Sequence, residues 1–463
     1  MHALCAYIRC IYVALAIVLC HGFFDCVIAD QVSAVIPILR WRKNMKILFY
    51  CHFPDLLLAS RSSRLRSVYR APLDWIEEQT TGMADQIVVN SEFTGTVFAN
   101  TFTKLHARKI RPAVLYPAVN IREYDNIPNI PLKARSASTD RLSGIRDCVG
   151  GIEGLSSGTQ IFLSINRFER KKKLELAIDA FALLVKRHVS PSRSPSRSPL
   201  GSRSTSPSPR SAHGGGGGPR NSLGRSSSTP PVNSSGSSSS SSSSGGDGGG
   251  GGSVSGGGGG HPAGGTLHSS MSLNSSNLVH PGDGGLGSIS RSLANEVSID
   301  RMKLVLAGGY DPRLKENREY LEELRTRAEG LGISERVLFV PSFTAEQKAA
   351  LLAACIGVIY TPENEHFGIV PLEAMAARRP VIACNSGGPR ESIHQASTGF
   401  LCDPTPPSFA ACMDLLMGSL DRAAIMGASA RRHVETSFSR RAFGDQLQAI
   451  LMQIVGEGGD MTL

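Results

Sequence analysis

Glu365 and Glu373 stand with seven residues between them in the run Glu-His-Phe-Gly-Ile-Val-Pro-Leu-Glu. Two carboxylates near one ligand suggest glycosidic acid–base chemistry, but the spacing argues against it. On a continuous helix they would lie about 12 Å apart at 1.5 Å per residue, too far for an acid and a nucleophile serving one bond. An anion-binding helix start fits better. Strand-like Gly357 to Tyr360 leads into a loop, Pro371 lacks an N–H and so fits only a first helical turn, and Pro380 stops the segment after Arg379. The N–H groups of Gly368, Ile369 and Val370 are then unpaired at the positive end of the helix dipole, a place suited to phosphate or diphosphate. Glu365 stands at the mouth of this site and Glu373 just inside, within the first turn.

The surrounding strings extend the pattern. Pro380-Val-Ile-Ala383, Ser386-Gly-Gly-Pro-Arg-Glu-Ser-Ile393 and Thr398-Gly-Phe-Leu401 follow the glutamates, and Ser164-Ile-Asn-Arg-Phe-Glu-Arg-Lys-Lys-Lys-Leu174 and Ala307-Gly-Gly-Tyr-Asp311 precede them. Nearer the start stand Phe49-Tyr-Cys-His-Phe-Pro-Asp-Leu-Leu-Leu58, Tyr69-Arg-Ala-Pro-Leu-Asp-Trp-Ile-Glu-Glu78, Thr80-Thr-Gly-Met-Ala-Asp85 and Val89-Asn-Ser-Glu-Phe-Thr94. Together these resemble glycosyltransferase family 4, the retaining enzymes of GT-B fold, and within it the mannosyltransferases that add the second and third mannoses to dolichol-linked oligosaccharide. The first-half strings are much more specific than the paired glutamates. The resemblance covers nearly everything except residues 121–158, a low-complexity insert and the last few residues.

That resemblance implies an α/β GT-B architecture, two Rossmann-like domains with a cleft between them. It implies transfer of mannose from GDP-mannose to a dolichol-diphosphate-linked mannosyl-chitobiose acceptor, forming α-1,3 and α-1,6 linkages of the N-glycan precursor at the cytosolic face of the endoplasmic reticulum membrane. Other glycosyltransferases of the pathway are candidate partners. A GT-B enzyme stabilises the leaving diphosphate with helix starts and basic side chains, so neither metal nor cofactor is expected, and the chain contains no Asp-x-Asp. Arg167 and Lys172 match the family's diphosphate clamp, Arg suiting bidentate contact and Lys supplying a point charge, with Lys171 or Lys173 as alternatives in register. Glu373 would hold the ribose hydroxyls, Glu365 would approach the donor sugar, and the Gly368, Ile369 and Val370 N–H groups would receive phosphate oxygens. His52 matches the acceptor-side histidine that faces the reacting sugar.

One departure bears on activity. A complete member opens with a strand and a Gly-Gly-Ala-Glu-Arg type loop, and nothing of that kind precedes Met1, so an incomplete first domain is expected. A catalytically inactive fragment or scaffold that keeps nucleotide binding is therefore an alternative, as is a related glycosyltransferase with another donor or acceptor.

The elements that must position these residues are legible as alternation. Strand-like runs at Lys46–Tyr50, Gln86–Asn90, Ala113–Tyr116, Ile161–Ile165, Lys303–Ala307, Val337–Val340, Ile356–Tyr360 and Val381–Asn385 are separated by helical patterns, which predicts parallel sheets with crossover helices. An acceptor-side domain is expected at 1–120, a polar linker at 121–158 and a donor domain at 159–187 and 296–455, its last helix packing back across the hinge. Residues 188–295, rich in Ser, Gly, Pro and Arg, cannot bury enough apolar surface to offset ordering entropy and predict a disordered insert. Such a loop is thermodynamically tolerable, since closure costs only about 0.6 kcal/mol per doubling of length.

Charge and cysteine narrow the rest. Of the net charge of +10, residues 187–295 supply six, through eight Arg against Asp247 and Asp283. The remainder is mildly basic, suiting an anionic donor or a membrane surface and giving no case for nucleic acid. Ten cysteines are scattered without Cys-x-x-Cys or a zinc spacing, which suggests a reducing compartment. Residues 3–20 are almost wholly apolar, but Arg9 sits inside the run, where a spanning helix would be penalised by roughly 2.5–3.5 kcal/mol. No signal-peptide order of charge, apolar run and small residues is present. The segment predicts a buried or membrane-touching helix feeding a strand at 24–29.

Overall fold

The computed structural model describes residues 2–58, 64–127, 155, 159–189 and 298–456. Two all-parallel sheets organise them. In the first, β1 (Cys26–Asp30), β2 (Lys46–Cys51), β3 (Gln86–Val89) and β4 (Ala113–Val114) lie in chain order. The second contains β5 (Gln160–Ile165), β6 (Met302–Gly308), β7 (Val337–Pro341), β8 (Cys355–Tyr360), β9 (Val381–Cys384) and β10 (Gly399–Cys402), in the order β10-β9-β8-β5-β6-β7.

Among the described residues, the helices of eight residues or more are α1 (His2–Cys20), α2 (Arg64–Thr81), α3 (Glu92–Thr101), α4 (Leu174–Val189), α5 (Lys315–Gly330), α6 (Ala345–Ala354), α7 (Ile369–Ala376), α8 (Pro406–Met417), α9 (Leu420–Ser437) and α10 (Arg440–Gly456). They cover both faces of each sheet, which is why the strands read as near-continuous apolar runs. Along β5, Ile161, Leu163 and Ile165 face a core with Leu372, Met375 and Val434, while Phe162 faces another with Phe181, Leu184, Phe409 and Leu416. In the first sheet Ile47, Phe49, Ile87 and Val89 pack on Phe98, Phe102 and the α1 residues Ala14 and Val18.

The opposite face of that sheet is covered from far away in sequence. Leu48, Val88 and Leu115 bury Ile454 of α10, with Phe443, Leu447, Ile450 and Leu451 alongside. Among the described residues the chain thus crosses between the lobes twice, and the crossings touch: the Val119 N–H donates to Phe438 O at 2.9 Å. Val119, Tyr124 and Ile127 are buried in the second lobe's core.

In the second sheet the chain runs outward from β5 through β6 and β7, then returns to β8 on β5's other side. Ligands in open parallel sheets bind at such a reversal, outside the carboxyl ends of the strands. The segments leaving β5 and β8 are those carrying Arg167, Lys172, Glu365 and Gly368.

The structure departs from the sequence reading at several elements. The four-residue edge strand β10 was not expected. The strand at 113–116 shrinks to two residues. The helix after Gly368 ends at Ala376 rather than Arg379, because Arg378 turns into the left-handed region (φ 59°). The cysteines among the described residues are free thiols. Most of the expected linker and nearly all of the expected insert lie outside the described residues. No described helix is long and apolar enough to cross a membrane.

Candidate active site

Beyond β5 the backbone passes close to β6: a Cβ at Gly308 would lie 1.6 Å from Asn166 O, so only glycine allows the two strand ends to approach. The chain then makes a 3-10 turn at Arg170–Lys172 that ends with Lys173 in the left-handed region, φ 50°. This turn sorts the lysines. Lys172 is 8% exposed, its backbone carbonyl accepts from Thr361 Oγ1 at 2.6 Å, and its ammonium lies 2.5 Å from Glu365 Oε2. Lys171 points away to Glu169, and Lys173 pairs with Glu363, which raises the lysine's pKa. Arg167 is largely exposed and bonds Glu169 at 2.8 Å; it is not brought to Glu365.

Beyond β8, Asn364 (φ 52°) and Gly368 (φ 86°) bend the loop that carries Glu365. Gly368 is the N-cap of α7 and has no side chain to accept the first-turn N–H groups of Ile369 and Val370, so they remain available to an anion. Glu365 is also bonded by the buried Tyr360 hydroxyl, whose pKa is raised chiefly by burial and then by that carboxylate. The Ser386–Gly388 string is the shelf beneath this loop. Gly388 N–H donates to Glu365 O at 2.9 Å, Ser386 Oγ accepts from Asn364 N–H at 3.1 Å, and a Cβ at Gly388 would lie 2.3 Å from Phe367 Cα.

Glu373 requires a correction. With helix α7 starting at Ile369, it lies in the second turn, not the first. It forms a separate cluster there: Lys348 of α6 approaches its carboxylate to 2.6 Å, and the Tyr124 hydroxyl from the inter-lobe crossing bonds it too. The structure therefore gathers Lys172, Glu365 and the Gly368–Val370 turn, and holds Glu373 one turn along.

Across from these, His52 leaves the end of β2. Its Nε2 lies 2.9 Å from Asp30 Oδ1 at the end of β1, and its ring meets Tyr50 edge-on. Gln31 (φ 63°) grips the same loop, accepting from His52 N–H and donating to Phe53 O and Asp55 Oδ1. Glu77 of α2 closes the base of the loop by accepting from Asp55 and Leu56 N–H, and burial pushes its carboxyl up to about 7. Phe53, next to His52 in the chain, stacks on His366 with centroids 3.6 Å apart. His52 and Glu365 thus each neighbour one member of the ring stack that joins the lobes.

Sequence reasoning missed Asp30, Gln31, Lys348, Tyr124, Tyr360 and His366 as site-building residues. A signal existed for Asp30 and Gln31, a polar pair ending an apolar strand beside the His52 strand. The arrangement can cradle a diphosphate at a helix start with an adjacent ammonium, and hold an imidazole on the opposite wall. No cluster of three or more His, Cys, Asp or Glu suited to a metal occurs among the described residues.

Comparison with known proteins follows the same division. Residues 288–433 match the glycosyl transferases group 1 family. The chain is similar to the alpha-1,3/1,6-mannosyltransferase ALG2 of Homo sapiens, 35% identical over 456 residues covering 98% of this chain and 79% of the relative. The ALG2 of Dictyostelium discoideum is 33% identical, covering 97% and 81%. Among solved structures, a glycosyltransferase from Rickettsia africae superposes with a TM-score of 0.55 at 14% identity, covering 97% of this chain and 81% of that one. Anabaena HepE in complex with UDP and glucose does so at 0.53 and 14%, covering 96% and 81%. At these identities the structural likeness is one of fold, and that fold is GT-B.

Proposed function

The chain belongs to the alpha-1,3/1,6-mannosyltransferase family and is a hexosyltransferase, and from that premise we propose that it moves mannose from GDP-mannose to a dolichol-diphosphate-linked mannosyl-chitobiose, forming α-1,3 and α-1,6 linkages of the N-glycan precursor. The observation that carries this assignment is the half-buried Lys172–Glu365 pair beside the uncapped start of α7. A lysine side chain only 11% exposed is costly to bury unless an anion meets its ammonium, and Glu365 supplies one. A diphosphate at the Gly368, Ile369 and Val370 N–H groups offers Lys172 a second partner of higher charge.

In the proposed reaction the bond between the mannose anomeric carbon and the diphosphate oxygen breaks, its electron pair leaving with the phosphate. Lys172, the α7 start and Arg167, exchanging Glu169 for phosphate, stabilise that charge. An acceptor hydroxyl attacks from the face the diphosphate leaves, and its proton passes to the departing phosphate oxygen, which gives retention without a carboxylate nucleophile. Glu365, held by Lys172 and Tyr360, orients the donor sugar, and Glu373 takes the ribose hydroxyls. His52, oriented by Asp30, lines the acceptor side.

A lipid-linked acceptor calls for a membrane surface, proposed as the cytosolic face of the endoplasmic reticulum. Supporting it is an apolar end on the first lobe, where Tyr12 and Leu19 of α1, Phe23 and Trp41 are each at least 65% exposed beside Arg42 and Lys43. Phe23 and Trp41 precede β1 and β2, at the strand ends opposite those that carry Asp30 and His52. The decisive experiment is GDP titration and mannosyl transfer to a lipid-linked chitobiose acceptor by the wild-type chain and Lys172→Met. Binding and transfer that fall together in the variant support the assignment; GDP binding indifferent to Lys172 sinks it.

A further inference from the structure

Glu391 belongs to the second lobe, yet both its carboxylate oxygens bond the first. Oε2 accepts from the Glu92 N–H and Oε1 from the Phe93 N–H, both at 2.8 Å, so the two oxygens cap the first turn of α3 from the opposite side of the cleft. The Tyr116 hydroxyl donates to the same carboxylate, and the Tyr116 ring lies against Phe367 and Phe438 where the chain crosses between lobes. One residue before this turn, Ser91 Oγ donates to His366 O at 2.6 Å.

The second-lobe end of the clasp is tied to the reacting loop. Glu391 lies in the short helix Pro389–Ser392, which follows directly on Gly388, and Gly388 N–H holds Glu365 O. His366, stacked on Phe53, is the neighbour of Glu365. A shift of α3 relative to the second lobe therefore pulls on both sides of the loop that presents Glu365, and moves Phe53 and His52 with it.

We propose that Glu391 is a positioning residue for sugar transfer: by capping α3 across the cleft it sets the separation of the lobes and the placement of the Glu365 loop opposite His52. Charge-assisted bonds to helix-start N–H groups are the strong kind, and here two of them reach one half-buried carboxylate from across the cleft while the Tyr116 hydroxyl holds it in place. The inference rests on the site assignment above. It adds a role to a residue that touches neither substrate in that assignment.

The test uses the full chain with Glu391→Ala, Glu391→Gln, Glu92→Pro and Glu92→Ala. Glu92 is the first helical residue of α3 and follows an extended Ser91 (φ −166°, ψ 159°), the setting in which proline is best tolerated, so Glu92→Pro deletes one donor without touching the second lobe. Glu92→Ala keeps that N–H and serves as control. Hydrogen exchange is followed in peptides covering 91–97 and 363–369, alongside kcat and KM with GDP-mannose. Glu391→Ala should speed exchange in both peptides and lower kcat about tenfold with little change in donor KM. Glu391→Gln and Glu92→Pro should give smaller losses of the same kind, Glu92→Ala none, and the Glu391→Ala/Glu92→Pro double variant no more than Glu391→Ala alone. Unchanged exchange, additive losses, or a rise in donor KM without a fall in kcat overturns the proposal. If Glu391→Ala does not fold, Glu92→Pro carries the test from the other lobe. A Lys172→Met variant that transfers normally would sink the site assignment instead, leaving the exchange results to stand for the clasp.

Discussion

Lys348 and Glu373 face each other at 2.6 Å from neighbouring helices, and the Tyr124 ring lies beneath the ammonium with its centroid 5.9 Å away. The carboxylate assigned to the ribose is thus held from two directions before any nucleotide arrives. Substituting Lys348→Met should free Glu373 to wander and raise the dissociation constant for GDP by roughly tenfold, while Lys348→Arg should restore most of it. Isothermal titration with GDP checks this, and an unchanged affinity for Lys348→Met would show that Glu373 needs no support.

Glu365 and Glu373 should differ in kind. Glu365→Ala should chiefly lower turnover, by a hundredfold or so, since an interaction aimed at the reacting sugar strengthens in the transition state. Glu373→Ala should chiefly weaken nucleotide binding. Equal loss of GDP binding in both variants contradicts these roles.

How much of this was readable beforehand depended on range. The strands were legible because both faces are buried and the runs are long enough to stand out, whereas Gly399–Cys402 is too short to show a period. Lys172, Glu365 and the Gly368 turn, which the structure brings together, stand in local strings that a sequence displays directly. Lys348, Tyr124 and Glu391 do not. The Glu391 bond to Glu92 spans 299 residues, and a lone acid beside Arg390 looks in sequence like any solvated one. Which lysine of Lys171, Lys172 and Lys173 turns inward was likewise decided by a left-handed backbone at Lys173 that composition does not reveal.

The buried Glu77 predicts a pH dependence of stability. Its folded pKa of about 7 stands above the ordinary value of 4.5, so between those values the folded state holds the extra proton. Its contribution should therefore weaken as pH rises from about 4.5 to 7 and level off above. Comparing melting temperatures of wild type and Glu77→Gln at pH 5, 6, 7 and 8 tests the sign. The wild type should lose ground to the variant on going up; the opposite slope would mean the backbone donors at Asp55 and Leu56 outweigh burial.

Residues 190–297 interrupt the second lobe between α4 and Ile299, and Val185 and Ile299 lie in one core cluster. Replacing 190–297 by a short Gly/Ser linker should leave the melting temperature and GDP affinity near wild type. An insoluble product, or a clearly lower melting temperature, would show that the replaced segment packs on the lobe.

Phe23→Glu with Trp41→Glu should abolish co-flotation with anionic liposomes without altering GDP affinity, because these side chains are remote from the cleft-lining strings. Alkaline carbonate should release the wild type from membranes. Retention in the pellet would argue for deeper insertion.

Helix α10 has a consequence for the order of synthesis. The face formed by Leu48, Val88 and Leu115 meets its covering residues, Phe443 to Ile454, only after more than three hundred further residues have left the ribosome. At ordinary translation rates that is on the order of tens of seconds during which the nascent first lobe shows water an apolar sheet. A premature stop just before Arg440 would leave every proposed catalytic and binding residue in the product and still cripple the lobe that carries His52.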